Sequence, residues 1–186
     1  MSRSKPNERS SRAHPRQAEQ DVERQLLQEL DALYRELDAR LAGDSCLATT
    51  ECCRFGITGR EPYVTSIEVK LVERAIAQRG GAKALGRPPA PLAGQTSADR
   101  KDKRRLALVD EEPCPLLDAR GRCSVYASRP FGCRTFFCER ATRVSDFEQR
   151  DVNEFVRRIK DIAARHEVGG DQGKPLRRAL TFVRQR

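Results

Sequence analysis

The sequence contains no tryptophan, one methionine, two histidines and few aromatic rings: three tyrosines and seven phenylalanines in 186 residues. Hydrophobic residues make up 38% of it and charged residues 34%. That apolar supply is thin for the length. It suits one ordinary domain with tails, built on a small core, with disordered stretches and a staple such as a metal. No apolar run approaches the length that crosses a bilayer, so no membrane insertion is expected. The stretch Met1–Gln20 is polar and Arg-bearing and lacks the hydrophobic segment of a secretory signal. The expected location is cytoplasmic, where thiols stay reduced. A cysteine pattern there points to metal or redox chemistry before disulfides.

Motifs for side-chain catalysis are missing too. There is no Ser-His-Asp arrangement, no phosphate-binding glycine loop and no H-E-x-x-H. The acidic pair Glu111-Glu112 precedes a proline and reads as solvated. What stays open is a metal-centred or redox activity. No C-x-x-C occurs, which disfavours a thioredoxin-like pair and departs from zinc fingers built on paired knuckles. The two histidines are poor ligand candidates, His14 lying in the tail and His166 near a helix end. No internal repeat is visible.

What is present falls into segments. Residues 1–17 read as a disordered basic tail with five arginines and lysines. An amphipathic helix is expected within 18–43: Leu27, Leu30, Tyr34, Leu37 and Leu41 repeat at three-then-four spacing, flanked by Val22, Leu26 and Leu33, and Gly43 follows as a stop. Packing on the core is the plainer use of that stripe. A dimeric coiled coil would need more heptads. Residues 44–168 form a cysteine-cluster domain interrupted by a Pro- and Gly-rich flexible insertion at 82–104. Within it, Thr65-Ser66-Ile67-Glu68 is a capping-box pattern that starts a helix ended by Gly80-Gly81. Leu106–Val109 reads as a short strand. Cys114 to Tyr126 resembles a small hairpin or knuckle around Ala119–Arg122. Ser128 is a candidate cap ahead of Pro130. Ser145 with Glu148 forms a second capping-box match, opening a helix with Phe147, Val152, Phe155, Val156, Ile159 and Ile162 on one side. Residues 169–186 are assigned to a basic C-terminal helix or tail, with a helix over Pro175–Arg184. The expected fold is α-rich, a small α+β arrangement of helices and a short β hairpin around a cysteine-bound metal site.

Seven cysteines carry the chemistry: Cys46, Cys52, Cys53, Cys114, Cys123, Cys133 and Cys138. They fall in two clusters, 46–53 and 114–138, within loop-like segments bearing Pro and Gly. Buried structural cysteines would instead be scattered along helical stripes. Thiolates are soft ligands that suit zinc and iron–sulfur centres.

The adjacent pair Cys52-Cys53, then Cys114-Pro-Leu-Leu-Asp, then Cys123-Ser-Val-Tyr-Ala-Ser-Arg-Pro-Phe-Gly-Cys133-Arg134 resembles the YkgJ family of zinc- or iron-chelating cysteine-cluster domains. That family opens with C-x-x-C-x-x-C-C and later carries C-x-[IV]-Y-x-x-R-P-x-x-C-R. The second block matches at Cys123, Val125, Tyr126, Arg129, Pro130, Cys133 and Arg134. In the first, Thr49 stands where the family has its second cysteine, and Cys138 is a candidate replacement. The resemblance covers roughly 46–138 and implies chelation of a zinc ion or iron, not a particular reaction. Arg134 becomes a candidate for contact with the bound group, offsetting thiolate charge or donating to sulfur. Tyr126 reads as packing, and Arg129-Pro130 as fixing the loop.

An all-cysteine donor set without two-cysteine knuckles inclines the reading toward an iron–sulfur cluster over zinc. Three functions are compatible: a metal-binding accessory or structural protein, a redox or iron–sulfur enzyme component, and a zinc-stabilised module that binds nucleic acid or acidic protein through basic tails. The last draws on a net charge of +9 and on Arg177, Arg178, Arg184 and Arg186, with no acidic residue after Asp171.

Overall fold

A computed structural model describes residues 15–44, 50–85, 112–136 and 142–181. Residues 1–14 of the expected N-terminal tail, the strand expected at Leu106–Val109, Cys46, Thr49, Cys138 and the last five residues lie outside the described residues, while residues 15–17, expected in the tail, are helical.

Helix α1 spans Pro15–Arg40, with proline at its first position, where the missing N–H costs no intrahelical bond. Its stripe is used inside the chain. Leu26, Leu27, Leu30, Leu33, Tyr34, Leu37 and Leu41 are all buried, whereas Val22, beyond the packed length, is half exposed. Helix α3, Ser66–Gln78, starts at Thr65 with both halves of the capping box formed, and ends where Gly80 and Gly81 turn with positive φ. Helix α5, Gln149–His166, packs on α1 and α3, and Phe155 at its centre is fully buried between Phe131 and Phe147. Ion pairs flank this seam, among them Arg158–Glu36 at 2.6 Å and Arg74–Asp31 at 2.6 Å. At such exposure they set register more than they add stability.

The cap of α5 differs from the expected one. Glu148 is the N-cap and Asp151 closes the box, because Ser145 is taken by Asp44. The Asp44 carboxylate accepts the Val144 N–H at 2.7 Å, the Ser145 N–H at 2.8 Å and the Ser145 hydroxyl at 2.7 Å. Gly43 makes this approach possible, since its φ is 98° and a Cβ there would stand 2.8 Å from Val144 Cγ2.

Between these helices lie short pieces: the 3₁₀ turn Glu51–Cys53, α2 at Phe55–Thr58, the 3₁₀ turn Tyr126–Ser128, α4 at Phe131–Arg134, and α6 at Leu176–Ala179. Pro130, not Ser128, occupies the N-cap of α4. The C-terminal helix is one turn long within the described residues, much shorter than the expected Pro175–Arg184. The two-stranded antiparallel sheet is not a local hairpin. It pairs β1, Tyr63–Val64, with β2, Lys174–Pro175. The knuckle at 114–126 carries only the bridge Leu117–Cys123, around a turn pinned by Asp118. The fold is thus an α-rich small α+β arrangement.

Two apolar clusters result. The first joins α1, α3 and α5 with Phe131 and Phe147. The second gathers Phe55, Val64, Val72, Leu117, Val125, Leu176 and Leu180, and Cys53, Cys123 and Cys133 pack against it.

Candidate metal centre

Each described cysteine sits on a short element fixed by hydrogen bonds from elsewhere in the chain. Thr50 adopts φ 58°, turning the chain into the 3₁₀ turn that presents Cys52 and Cys53. The Cys114 N–H donates to the Cys53 carbonyl at 2.7 Å and the Phe55 N–H to the Glu112 carbonyl at 3.2 Å, so the two clusters are zipped by backbone. Cys123 is held where the Ser124 N–H and hydroxyl both donate to the Leu116 carbonyl, at 2.8 and 2.7 Å.

Cys133 rides on α4, which joins the two apolar clusters. Residues two apart on a helix point about 200° from one another. Phe131 accordingly enters the first cluster while Cys133 packs on the second. The start of α4 is pinned by a buried polar knot. One Glu68 oxygen accepts the Tyr34 hydroxyl at 2.6 Å and the Phe131 N–H at 2.9 Å; the other accepts the Thr65 N–H at 2.8 Å and the Thr65 hydroxyl at 2.9 Å. Burial, followed by the Glu68 charge, holds the Tyr34 hydroxyl well above its usual range. Gly132 allows α4 to lie against β1, since a Cβ there would meet Pro62 Cβ at 2.9 Å.

Five cysteines, Cys52, Cys53, Cys114, Cys123 and Cys133, line one cavity of about 1000 Å³. The Cys52 and Cys53 sulfurs stand 3.9 Å apart. Two thiolates on one tetrahedral zinc at 2.3 Å are about 3.8 Å apart, so this edge has the spacing of a metal-binding pair. Among the described residues no three or more Cys, His, Asp or Glu side chains converge closely enough to hold a metal ion as they stand. The geometry brings the thiols to a common cavity rather than into a finished cage. The donor chemistry nonetheless fits zinc or iron, every candidate being a soft sulfur.

Electrostatics separates the thiols. Its hydrogen bond with Cys53 brings the Cys52 thiol down to about 7, against burial and with help from Arg129. The same bond, together with burial, pushes Cys53 far up. Burial raises Cys114 to about 12 and also raises Cys123 and Cys133. A bound cation reverses these costs by taking thiolates directly.

Arg134 is buried, and its hydrogen bonds run to oxygen, not sulfur. It holds both Asp38 oxygens at 2.7 Å, the Arg129 carbonyl at 2.7 Å and the Ala127 carbonyl at 2.5 Å, and lies 4.4 Å from the Tyr34 ring centre. It acts by tying the loop before α4 to α1. The guanidinium whose charge reaches Cys52, Cys123 and Cys133 is that of Arg129. Arg129 has φ −61° and ψ 139°, the extended geometry expected before Pro130. Tyr126 is 60% exposed and stacks on Arg129, 3.7 Å from guanidinium carbon to ring centre, instead of packing in the core.

His166 lies away from the cysteines and bonds Ser66 Oγ at 2.7 Å. Arg177 is engaged by Glu61 at 3.2 Å and Glu112 at 3.0 Å, so Glu112 is not merely solvated and this arginine is not a bare phosphate contact. Among the described residues no helix is long and apolar enough to cross a membrane. Glu68 and Tyr34 carry local signals only, as a capping-box member and a stripe member. Nothing in the sequence pairs them across 34 positions.

The family model CxxCxxCC, "Putative zinc- or iron-chelating domain", matches residues 45–154. The chain belongs to this family, the YkgJ type, and the matched region contains all seven cysteines. No curated protein and no solved structure matches the chain.

Proposed function

We propose that the chain holds iron in an all-cysteine site, as an iron–sulfur centre open on one side to the cavity. The observation that carries this reading is that five thiols from four segments share one cavity of about 1000 Å³. A structural zinc site is closed by four ligands and needs no adjoining space. Here the cysteines exceed four and the space exceeds one ion. Cys52, Cys53, Cys114, Cys123 and Cys133 form the described ligand pool, with Cys46 and Cys138 as its other members. The Cys52–Cys53 edge suits two thiolates on one metal, and this favours a second reading, mononuclear zinc chelation. Bound iron–sulfur would supply electron transfer or an open coordination position. The chain's own residues bind and orient it: Arg129 places positive charge beside the thiolates, while Arg134 and Glu68 fix the loop and helix that carry Cys133.

The test is anaerobic purification of the untagged protein, followed by measurement of iron, zinc, sulfide and the visible spectrum. Iron with sulfide and a brown charge-transfer band is the expected result. Zinc in a colourless protein overturns the cluster and leaves chelation standing. Cys53→Ser and Cys133→Ser are each expected to lower metal content and melting temperature. Unchanged metal and unchanged melting in both would sink the ligand assignment.

A further inference from the structure

The cavity wall carries more positive charge than the thiols use. Arg60, Arg79, Arg122 and Arg129 line it, against two carboxylates, Glu61 and Asp118. Glu61 is engaged from outside the lining by Arg177, through its N–H at 2.6 Å and Nε at 3.2 Å. Asp118 closes the knuckle turn on the N–H groups of Arg120 and Arg122, both at 2.9 Å, and its ion pair with Arg122 is long at 3.9 Å.

Three of these arginines meet neutral partners, and the Arg122 guanidinium has the long Asp118 contact. Arg129 donates to the Tyr126 carbonyl and stacks on its ring, Arg79 donates to the Ser124 carbonyl, and Arg60 lies 5.6 Å from the Phe136 ring centre. A carbonyl or a ring orients a guanidinium without cancelling its charge. Arg129 and Arg79 are among the main charges acting on the cysteines; Arg60 and Arg122 are not.

The same wall carries apolar surface left in the open. Tyr63 is 66% exposed and Tyr126 is 60% exposed, and both line the cavity. Exposed rings beside uncancelled guanidinium groups, in a space near the upper end of the range for small-molecule sites, describe a pocket for a molecule with a flat apolar body and an anionic end.

We propose that the cavity binds an organic anion beside the cysteine centre, its carboxylate or phosphate held by Arg60 and Arg122 and its body against Tyr63 and Tyr126. The position of this ligand beside a metal rests on the proposed function. Its binding to the arginine and tyrosine wall does not.

The test uses the purified full chain, with metal content measured on every sample, and two charged probes with neutral counterparts: benzoate against benzamide, and adenosine monophosphate against adenosine. Binding is read by saturation-transfer NMR and isothermal titration. At least one charged probe is expected to bind about tenfold more tightly than its neutral counterpart. Whether that probe is the carboxylate or the phosphate identifies the anion. Arg60→Gln and Arg122→Gln are each expected to weaken it about tenfold, and Tyr126→Ala to weaken both members of the pair. Circular dichroism of each variant separates this from unfolding. Failure of both charged probes to bind at millimolar concentration, or binding that neither arginine variant weakens, overturns the proposal. Protein that carries no metal after anaerobic purification and still shows the charged-probe preference removes the proposed metal function and leaves the anion site.

Discussion

At the scale of single residues, Glu68 has the most consequences per atom. Its two oxygens accept four hydrogen bonds from three segments, and it is 3% exposed. Replacing it with glutamine puts an NH₂ group where two donors already point, so one side of the knot meets donor against donor. Such a mismatch in a buried site costs about 2–4 kcal/mol. Glu68→Gln should therefore lower the urea midpoint by that order and reduce metal content, because the Phe131 N–H that starts α4 loses its anchor. Tyr34→Phe should cost less, about 1–2 kcal/mol, since the Phe131 N–H keeps the Glu68 oxygen. Equal losses from the two variants would count against the carboxylate as the centre of the knot. The capping box that contains Glu68 was legible from Thr65-x-x-Glu68 alone, because both partners are local. Its second use was not, since Tyr34 and Phe131 reach it only after α1 and α3 have packed.

The elements divide along the same line. Helices α1 and α3 followed from hydrophobic spacing and cap residues, which act within a few positions. The cap of α5 did not, because Asp44, a hundred residues upstream, takes the donors of Ser145. The strand pair was unreadable for a different reason: two residues per strand are too few for alternation, and β1 meets β2 only through tertiary packing. The cysteine cavity was legible in part, from clustering and the Cys123–Arg134 motif. Arg60 and Tyr63 carried no signal of their place in its wall. Arg134 shows what that motif holds in place. One guanidinium grips Asp38 on α1 and two carbonyls of the loop before α4, an arrangement that requires a planar fork of donors. Arg134→Lys keeps the charge and loses the fork. It should destabilise by about 2 kcal/mol and speed amide exchange across 128–135. Asp38→Asn, which spares the two carbonyl bonds, should do clearly less. Wild-type exchange in Arg134→Lys would mean that the loop is held by Pro130 and not by the clamp.

For the whole molecule, the two apolar clusters rest on different physics. The first is made of long helices whose backbone bonds are internal and whose stripes interlock around Phe155. The second packs one-turn helices, single bridges and a two-residue strand pair against another face of α3, with three cysteines packed on it. Segments this short carry few hydrogen bonds of their own and depend on what ties them together. A metal held by the proposed cysteine ligands would be such a tie. Structural zinc contributes about 10–16 kcal/mol in small domains, comparable with the roughly 5–15 kcal/mol that keeps a whole domain folded. Removing the metal with a chelator should therefore open the molecule unevenly. Amide exchange should accelerate at Cys53, Cys114, Ser124 and Cys133, whose N–H groups bond within the cysteine layer. Amides of α1, α3 and α5 around Leu30, Leu71 and Ile159 should keep most of their protection. Phe131, anchored in the first cluster, sets the boundary between the two layers. Exchange that rises uniformly would show one cooperative unit in place of two. Exchange that does not change at all would mean that the second cluster holds its cysteines in place without the metal.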